Sequence, residues 1–303
     1  MNENKASIPC NKILIIGLGL IGGSYAQSLT EKGYEVGAID TNFESLKLAF
    51  ENGWIRHGMA ANDVACGVDS LSWQEYIGSF DLLIFALYPH TFLQWIRDNM
   101  TYIKENALIT DVTGVKSCVV YEVQSLLAQN RKDLEYIGAH PMAGREQSGI
   151  EFADKNIFIG ANYIVTPTPD NTQRAKQICA DLGRVLGFST ITELSPDEHD
   201  EMIGFLSQLT HCIAVALMTC RDTTSFAEYT GDSFRDLTRI AKINDEMWSE
   251  LFVRNKDALL KQMDLFENSF NNLRDLIKED KIEEMRDMMR LSTCRRKRFD
   301  YTC

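Results

Sequence analysis

The glycine-rich segment Gly17-Leu-Gly19-Leu-Ile-Gly22 constrains the fold of this chain more than any other feature. It follows the apolar run KILII and precedes an apolar segment of helical length, so it predicts a strand, a tight turn and a helix. In such a unit the first glycine permits the turn, the second lets the backbone approach a pyrophosphate, and the third lets the helix lie close to the sheet. The helix N-terminus then faces the phosphates. The segment therefore predicts dinucleotide binding.

A carboxylate follows at the distance that this kind of site requires. Asp40 ends the run EVGAID, about 20 residues further on, where it can accept hydrogen bonds from the adenine ribose hydroxyls. Its charge would repel a 2′-phosphate, which favours NAD over NADP. A glycine turn used only for packing is the alternative. The residues expected to bind NAD are Gly17, Leu18, Gly19, Leu20, Ile21, Gly22 and Asp40.

The order of predicted elements indicates an α/β fold with a Rossmann-type parallel sheet, followed by an all-α helical region. Strands are predicted at 12–17, 35–40, 80–87, 107–112, 134–139, 162–167 and 188–194, and helices between them at 20–32, 43–52, 116–129 and 170–186. Residues 196–303 show only helical periodicity. Ser195 is suited to cap a helix with Pro196 in its first turn. We expect an NAD-binding domain over 1–194 and a helical domain over 195–303.

Composition narrows the range of partners. The chain has 303 residues, of which 45% are apolar, and a net charge of −12. This size suits two domains, and the negative charge argues against nucleic acid or an anionic membrane as the main partner. Eight cysteines form no CxxC pair, which is typical of reduced thiols in a cytoplasmic protein. No unbroken run reaches the roughly 18 apolar residues of a membrane span.

The stretch GAHPMAGREQSG, residues 138–149, places His140 in what we predict to be a loop after the fifth strand. Ligands collect at the carboxyl ends of strands in open α/β sheets, so His140 is expected to point into the nicotinamide crevice. A neutral imidazole can accept a proton from an alcohol near pH 7. A single loop histidine is by itself more often structural than catalytic.

Two helical segments further along carry other candidates. In SFRDLTRIAKINDEMW, residues 233–248, a helix ending near Lys242 would place Arg235 and Arg239 on one face and Asp236 on the neighbouring one. Arginines held by nearby acids can bind a carboxylate, although a surface of ion pairs is the alternative. A second helix, 199–218, carries His199 and His211. Their spacing does not fit a zinc motif, and no metal site is expected.

Together these segments resemble the prephenate dehydrogenases of tyrosine biosynthesis. The resemblance covers nearly the whole chain: GLGLIGGS with Asp40, TDVTGVK (110–116), HPMAGRE followed by SG (140–149), HDEM through SQLTH (199–211), and FRDLTRIA with Trp248 and Asn255. It implies NAD-dependent oxidation and decarboxylation of prephenate to 4-hydroxyphenylpyruvate, and a homodimer formed through the helical domain. By position, His140 resembles the residue that polarises the ring hydroxyl, Arg239 the one that holds the ring carboxylate, and His211 a helix histidine that faces the substrate.

The chain also departs from the family pattern. Many relatives have Gly-Ser-Val-Lys where this chain has Thr113-Gly114-Val115-Lys116, so the serine that often assists the histidine is absent, and we expect Thr113 to replace it as a catalytic residue. The common SHLPH is SQLTH here, with Gln208, and the usual threonine before Glu146 is Arg145. The substrate-binding candidates are therefore Arg239, His211, Arg145, Glu146, Asp236 and Gln208.

Three alternatives remain open at this point. An arogenate dehydrogenase differs only at the substrate's side-chain end, where Arg145 would oppose an ammonium group unless Glu146 pairs with it. A dehydrogenase of the β-hydroxyacid type would need a catalytic lysine, for which Lys242 and Lys256 are the candidates. A dinucleotide-sensing dimer without activity would leave HPMAGRE and FRDLTRIA unexplained.

Overall fold

A computed structural model describes residues 7–60, 65–67, 71–145, 147–222 and 224–299. In these residues nine strands form one sheet with the order β4-β3-β2-β1-β5-β6-β7-β8-β9. Their bounds are β1 Lys12–Ile16, β2 Glu35–Asp40, β3 His57–Ala60, β4 Ala65–Cys66, β5 Leu82–Phe85, β6 Leu108–Asp111, β7 Glu135–Met142, β8 Asn162–Thr166 and β9 Thr190–Glu193.

The helices alternate with the strands as far as β9 and then follow one another. Their bounds are α1 Leu20–Glu31, α2 Phe43–Glu51, α3 Trp73–Ile77, α4 Pro89–Asn99, α5 Ser117–Asn130, α6 Gln173–Leu186, α7 Pro196–Ile203, α8 Thr210–Thr219, α9 Asp232–Thr238, α10 Asp245–Arg254, α11 Lys256–Lys278 and α12 Ile282–Arg296. The segment Gly204–Leu209 between α7 and α8 is π-helical, and Arg239–Ala241 forms a 3₁₀ turn after α9. The predicted α/β fold with a following helical region is confirmed.

The core lies on the two faces of this sheet. Strands β1, β5 and β6 are buried along nearly their whole length, which explains their continuous apolar sequences, because parallel strands are covered by helices on both sides. Both clusters of buried apolar side chains lie within residues 8–188. The seven predicted strands are present. The prediction missed β3 and β4, which span only four and two residues and carry no run of β-branched side chains.

The placement of His140 in a loop is wrong. Strand β7 continues to Met142, and residues 138–142 pair antiparallel with β8, with His140 opposite Ile164. The proline and glycines of this stretch resemble loop sequence, but β8 supplies a hydrogen-bonding partner that no local pattern reveals. His140 is therefore held on a strand, which orients a side chain more firmly than a loop.

The helical region begins with a long helical segment that is partly π-helical. Ser195 caps α7 through a reciprocal capping box with Glu198, and Pro196 begins the helix, as predicted. By length and composition alone, Pro196–Thr219 is able to cross a membrane, with a mean hydropathy of 1.6 and 28% of the window buried. The segment qualifies by its average hydropathy, which tolerates polar side chains, and not by an unbroken apolar run. Core helices of soluble proteins pass the same test.

Candidate active site

The turn after β1 forms an open cradle of backbone. Gly17 has a φ of +98°, and a Cβ at Gly22 would lie 1.9 Å from the Gly17 carbonyl oxygen. A Cβ at Gly19, in contrast, would meet no atom within 4 Å. Helix α1 begins at Leu20 without a side-chain cap, so the first backbone N–H groups of the helix remain available to an anion. The geometry fits a bound pyrophosphate.

Asp40 closes one side of this cradle. Its Oδ2 accepts a hydrogen bond from the Leu18 N–H at 2.6 Å, and its Oδ1 accepts one from the Asn42 N–H at 2.7 Å. These bonds hold the carboxylate at the end of β2 and tie it to the glycine turn. Each carboxylate oxygen has a second lone pair, which leaves acceptor capacity for a ribose hydroxyl.

A row of hydrogen bonds links His140 to the helical region. Its Nδ1 lies 2.8 Å from Nε2 of His199, and Nδ1 of His199 lies 2.8 Å from Oδ1 of Asp200. His199 is fully buried, and Asp200 nearly so. Burial lowers the pKa of His140 well below its usual range, and the neighbouring His199 and Lys116 side chains act in the same direction. His140 is therefore a neutral imidazole at neutral pH.

A second buried group lies beneath this row. Nζ of Lys116 is 2.6 Å from Oδ2 of Asp111, with neither side chain exposed. The Thr113 hydroxyl donates to the same Asp111 oxygen, and Lys116 donates to the Thr113 oxygen at 3.1 Å. The expectation that Thr113 replaces the family's serine beside His140 does not match this geometry, because a buried carboxylate binds the hydroxyl more strongly than a neutral ring nitrogen.

The position of the missing serine does lie near the imidazole. A Cβ built on Gly114 would be 4.0 Å from Nε2 of His140 and 3.4 Å from Cδ1 of Leu251. Leu251 belongs to α10, so this helix covers the edge of the sheet where Nε2 of His140 is located. The free nitrogen of His140 thus faces the junction between the sheet and the helical region.

The same helix α10 also contacts His211. The ring of Trp248, one turn before Leu251, stacks on the His211 ring with centroids 3.7 Å apart. Nδ1 of His211 lies 2.8 Å from the Ser207 carbonyl oxygen. Burial lowers the pKa of His211, which the Ser207 carbonyl opposes. The 3₁₀ turn that contains Arg239 packs against α8, the helix that carries His211. His140, His211 and Arg239 are thereby connected through neighbouring helices.

Other predicted binding residues have different surroundings. Arg145 pairs with Asp154 at 2.9 Å and is half exposed, while Glu146 lies outside the described residues. Asp236 is exposed on α9. Gln208 is buried, donating to the Leu251 carbonyl at 3.1 Å and accepting from Asn255 at 2.7 Å. A substrate-binding role for Gln208 does not match this geometry, because its amide already holds the helices together.

Sequence reasoning missed the roles of two residues in the row at His140. His199 appeared only as one of two helix histidines, and Asp200 was not considered. The available signal was the pair His-Asp at the start of HDEM, on a helix that begins at the boundary with the sheet region. The described residues contain no group of three or more His, Cys, Asp or Glu side chains placed to hold a metal ion.

Comparison with known proteins agrees with this architecture. Residues 55–186 match the family model for the prephenate dehydrogenase nucleotide-binding domain, and residues 195–291 match the model for the dimerization domain of the same family. Between them the two models span most of the chain.

Individual relatives cover still more of it. The chain is 28% identical over 295 residues to prephenate dehydrogenase of Bacillus subtilis (strain 168), covering 94% of this chain and 74% of that protein. It is 26% identical to cyclohexadienyl dehydrogenase of Zymomonas mobilis, covering 88% of each.

A solved structure shows the same fold throughout. The A. aeolicus prephenate dehydrogenase, in complex with hydroxyphenyl propionate and NAD+, matches with a TM-score of 0.84 and 29% identity, over 97% of this chain and 100% of that one. Two consecutive family models and a fold shared from end to end lead to one conclusion: this chain belongs to the prephenate dehydrogenase family.

Proposed function

We propose that this protein oxidises and decarboxylates prephenate to 4-hydroxyphenylpyruvate with NAD, as a step of tyrosine biosynthesis. The observation that carries the proposal is the position of His140. Its Nε2 faces the junction of sheet and helices beside Gly114, and its Nδ1 is occupied by His199. A half-buried neutral imidazole with one free nitrogen is suited to take a proton from an alcohol.

The glycine turn and Asp40 would hold the cofactor. The N–H groups at the start of α1 suit its pyrophosphate, and Asp40 suits its adenine ribose. When bound, NAD supplies the acceptor for the hydride that leaves the ring carbon. The named cofactor of the A. aeolicus structure supports this assignment.

His140 handles the proton in this reaction. Its Nε2 takes the hydroxyl proton as the ring carbon is oxidised, and it returns the proton to the same oxygen when the carbon dioxide leaves and the ring becomes aromatic. No net proton is released, because the departing carboxylate leaves its bonding electrons in the ring. Aromatisation drives the reaction, so the protein contributes positioning and charge stabilisation rather than covalent catalysis.

Substrate contacts come from the helical region in this proposal. Arg239 binds the ring carboxylate and His211 faces the side chain of the substrate, while Arg145 influences which side chain is accepted. The stacking of Trp248 on His211 and the packing of the Arg239 turn on α8 support a shared pocket. We place the boundary between the NAD-binding and helical domains after residue 194, since β9 ends at Glu193 and α7 begins at Pro196.

A homodimer formed through the helical domain completes the proposal. Large apolar side chains are exposed along α11 and α12, among them Leu265, Phe266, Phe270, Ile277, Ile282, Met289 and Leu291. Apolar surface of this extent indicates an interface. The dimerization-domain match supports the same assembly. We further propose a cytoplasmic protein with no nucleic-acid or membrane partner, in keeping with the net charge of −12.

The test is incubation of the purified protein with prephenate and NAD while the absorbance of reduced cofactor is followed. We expect reduced cofactor to form with prephenate and not with small β-hydroxyacids. Lys242 and Lys256, the lysines that a β-hydroxyacid dehydrogenase would need, are both exposed, which argues against that alternative. Oxidation of β-hydroxyacids without oxidation of prephenate would overturn the proposal.

Arogenate remains a second candidate substrate. The similarity to a cyclohexadienyl dehydrogenase favours it, and so does the pairing of Arg145 with Asp154, which weakens the repulsion between Arg145 and the arogenate ammonium group. The two substrates share their ring end. The ratio of kcat/KM for prephenate and arogenate measures the preference. A ratio that favours arogenate would contradict the role of Arg145 in selecting the side chain of the substrate.

A further inference from the structure

We propose that His199 and Asp200 are positioning residues that fix His140 in the tautomer whose Nε2 carries no proton. The catalytic meaning of this inference rests on the proposed function, but the tautomer itself does not. Both residues lie on α7, in the helical region, while His140 lies on β7. The tautomer of His140, in the sheet region, would thus be set by residues of the helical region.

Asp200 is held in place by two backbone amides. Its Oδ1 accepts the Lys116 N–H and its Oδ2 accepts the Ser117 N–H, both at 2.8 Å. These amides begin α5, where the helix dipole also favours an anion. Burial raises the pKa of Asp200, but the hydrogen bonds from His199 and from the two amides outweigh it, and the pKa is lowered overall. Asp200 is therefore a carboxylate and acts only as an acceptor.

The tautomers of both rings follow from this acceptor. Because Oδ1 of Asp200 has no proton, Nδ1 of His199 must donate to it across 2.8 Å. A neutral His199 then has a lone pair on Nε2, and Nδ1 of His140 must donate to that lone pair across 2.8 Å. A neutral His140 consequently has its free lone pair on Nε2, the nitrogen that faces Gly114.

Burial is the main reason that both rings are neutral. Lys116 and Asp111 form a buried pair beside the row, on the turn before α5 and at the end of β6. Burial lowers the pKa of His199, as does Lys116, while Asp200 and Asp111 act in the opposite direction. In the part of the chain that the structure describes, the only carboxylate that touches the row is that of Asp200, so it selects the direction of the hydrogen bonds.

The row also stabilises His140 once it has gained a proton. When Nε2 takes the hydroxyl proton, the proton on Nδ1 can move to Nε2 of His199, which places the positive charge next to Asp200. The reverse movement returns a proton from Nε2 to the substrate oxygen, so atoms and charges balance over the cycle. In relatives that carry it, a serine at the position of Gly114 would approach Nε2; here the support comes from the Nδ1 side.

The direct test is ¹⁵N NMR of the free protein labelled at its histidines, of which the sequence has five. His140→Asn and His199→Gln variants assign the two signals. We expect both rings to carry their proton on Nδ1 at pH 7. A proton on Nε2 of His140 would overturn the inference whether or not the protein oxidises prephenate, whereas absence of that activity would contradict the proposed function and leave the tautomer result intact.

Variants then connect the tautomer to turnover. Asp200→Asn is expected to lower kcat on the order of 10²-fold or more, because loss of the orienting anion permits the wrong tautomer, with little change in NAD affinity. It should also shift the acid limb of the pH profile of kcat/KM to lower pH, because a protonated His140 loses its nearby negative charge. A merely structural role would leave that limb in place.

Asp197→Asn is the matched control. Asp197 lies on the same turn of α7 and also binds α5, accepting from the hydroxyls of Ser117 and Tyr121 at 2.8 Å, but it does not touch the histidine row. Comparable losses of kcat in Asp197→Asn and Asp200→Asn would reduce the effect to helix docking and overturn the proposal. A second pair of variants replaces His199 with side chains of which only one can accept a hydrogen bond. His199→Gln keeps an acceptor for His140 and should therefore retain more activity than His199→Phe. Equal activities would contradict the role of His199.

Discussion

The sheet region and the helical region bury their apolar side chains to very different degrees. Strands β1 and β5 are almost completely enclosed, whereas α12 has no buried side chain and α11 buries only Leu259 and Gln262 in the described part of the chain. The first region completes its own core. The second leaves an apolar surface whose removal from water requires a partner. The candidate site lies where the two meet, so each region is expected to contribute a different part of the function.

His140→Asn tests the contribution of the sheet region. Removal of the base should lower kcat by roughly 10²–10⁴-fold, the range for losing a positioned general base, while NAD affinity stays unchanged because the glycine cradle is intact. Steady-state kinetics and NAD titration measure the two effects. Turnover close to that of the unchanged protein would mean that the proton leaves by another path.

Phe270→Glu tests the incompleteness of the helical region. Phe270 is 59% exposed on α11, and a buried phenylalanine contributes about 1.5–3 kcal/mol, so the dimer dissociation constant should rise by roughly 10–100-fold. Analytical ultracentrifugation over a range of concentrations gives this constant. Ile159→Glu, at a 68% exposed position of the sheet region, is the matched control and should leave association unchanged. Equal effects would remove the contrast between the two regions.

Arg239→Ala tests whether the helical region binds the substrate. A hydrogen bond to a charged group contributes about 1.5–3 kcal/mol, so KM for prephenate should rise by roughly 10–100-fold and kcat should change less. Arg235→Ala, one turn earlier on α9 and also exposed, serves for comparison. If Arg235→Ala raises KM as much as Arg239→Ala, the assignment of the carboxylate to Arg239 fails.

Asp40→Ser has the smallest expected effect, within the sheet region. Removal of the negative charge should relax the preference for NAD over NADP by roughly tenfold, about 1.4 kcal/mol, since a 2′-phosphate is no longer repelled. The variant also loses the carboxylate that binds the Leu18 N–H, so affinity for NAD itself is expected to fall slightly. The ratio of kcat/KM for the two cofactors measures the effect, and an unchanged protein that already prefers NADP contradicts the role given to Asp40.

Much of the fold was predictable because its signals are local. The glycine spacing and the apolar runs identified β1, α1 and the other long strands, and Ser195 with Pro196 identified the start of α7. The antiparallel pairing that holds His140 was not predictable, because it depends on β8, about two dozen residues later in the sequence. Short strands such as β4 carry too few side chains to show a period.

The candidate site was predictable only in part, for the same reason. His140, His211 and Arg239 stand out by residue type and by resemblance, whereas the surroundings of Thr113 and Gln208 depend on tertiary contacts. Thr113 binds Asp111, which is close in sequence but is held in place by hydrogen bonds from Tyr136 and Ala139 of β7. Gln208 binds Asn255 from another helix. A residue type shows which chemistry a side chain can perform, but the partner that it has in the folded chain decides whether it performs it.

The coupling of oxidation to decarboxylation is the most direct test of the account as a whole. The measurement is the amount of carbon dioxide released per reduced cofactor formed, with prephenate and NAD as substrates and His140→Asn as the control. We predict a ratio of about one, with both products falling together in the variant, because His140 handles the proton for both steps. Reduced cofactor without carbon dioxide, or carbon dioxide released at an undiminished rate by the variant, would contradict the account.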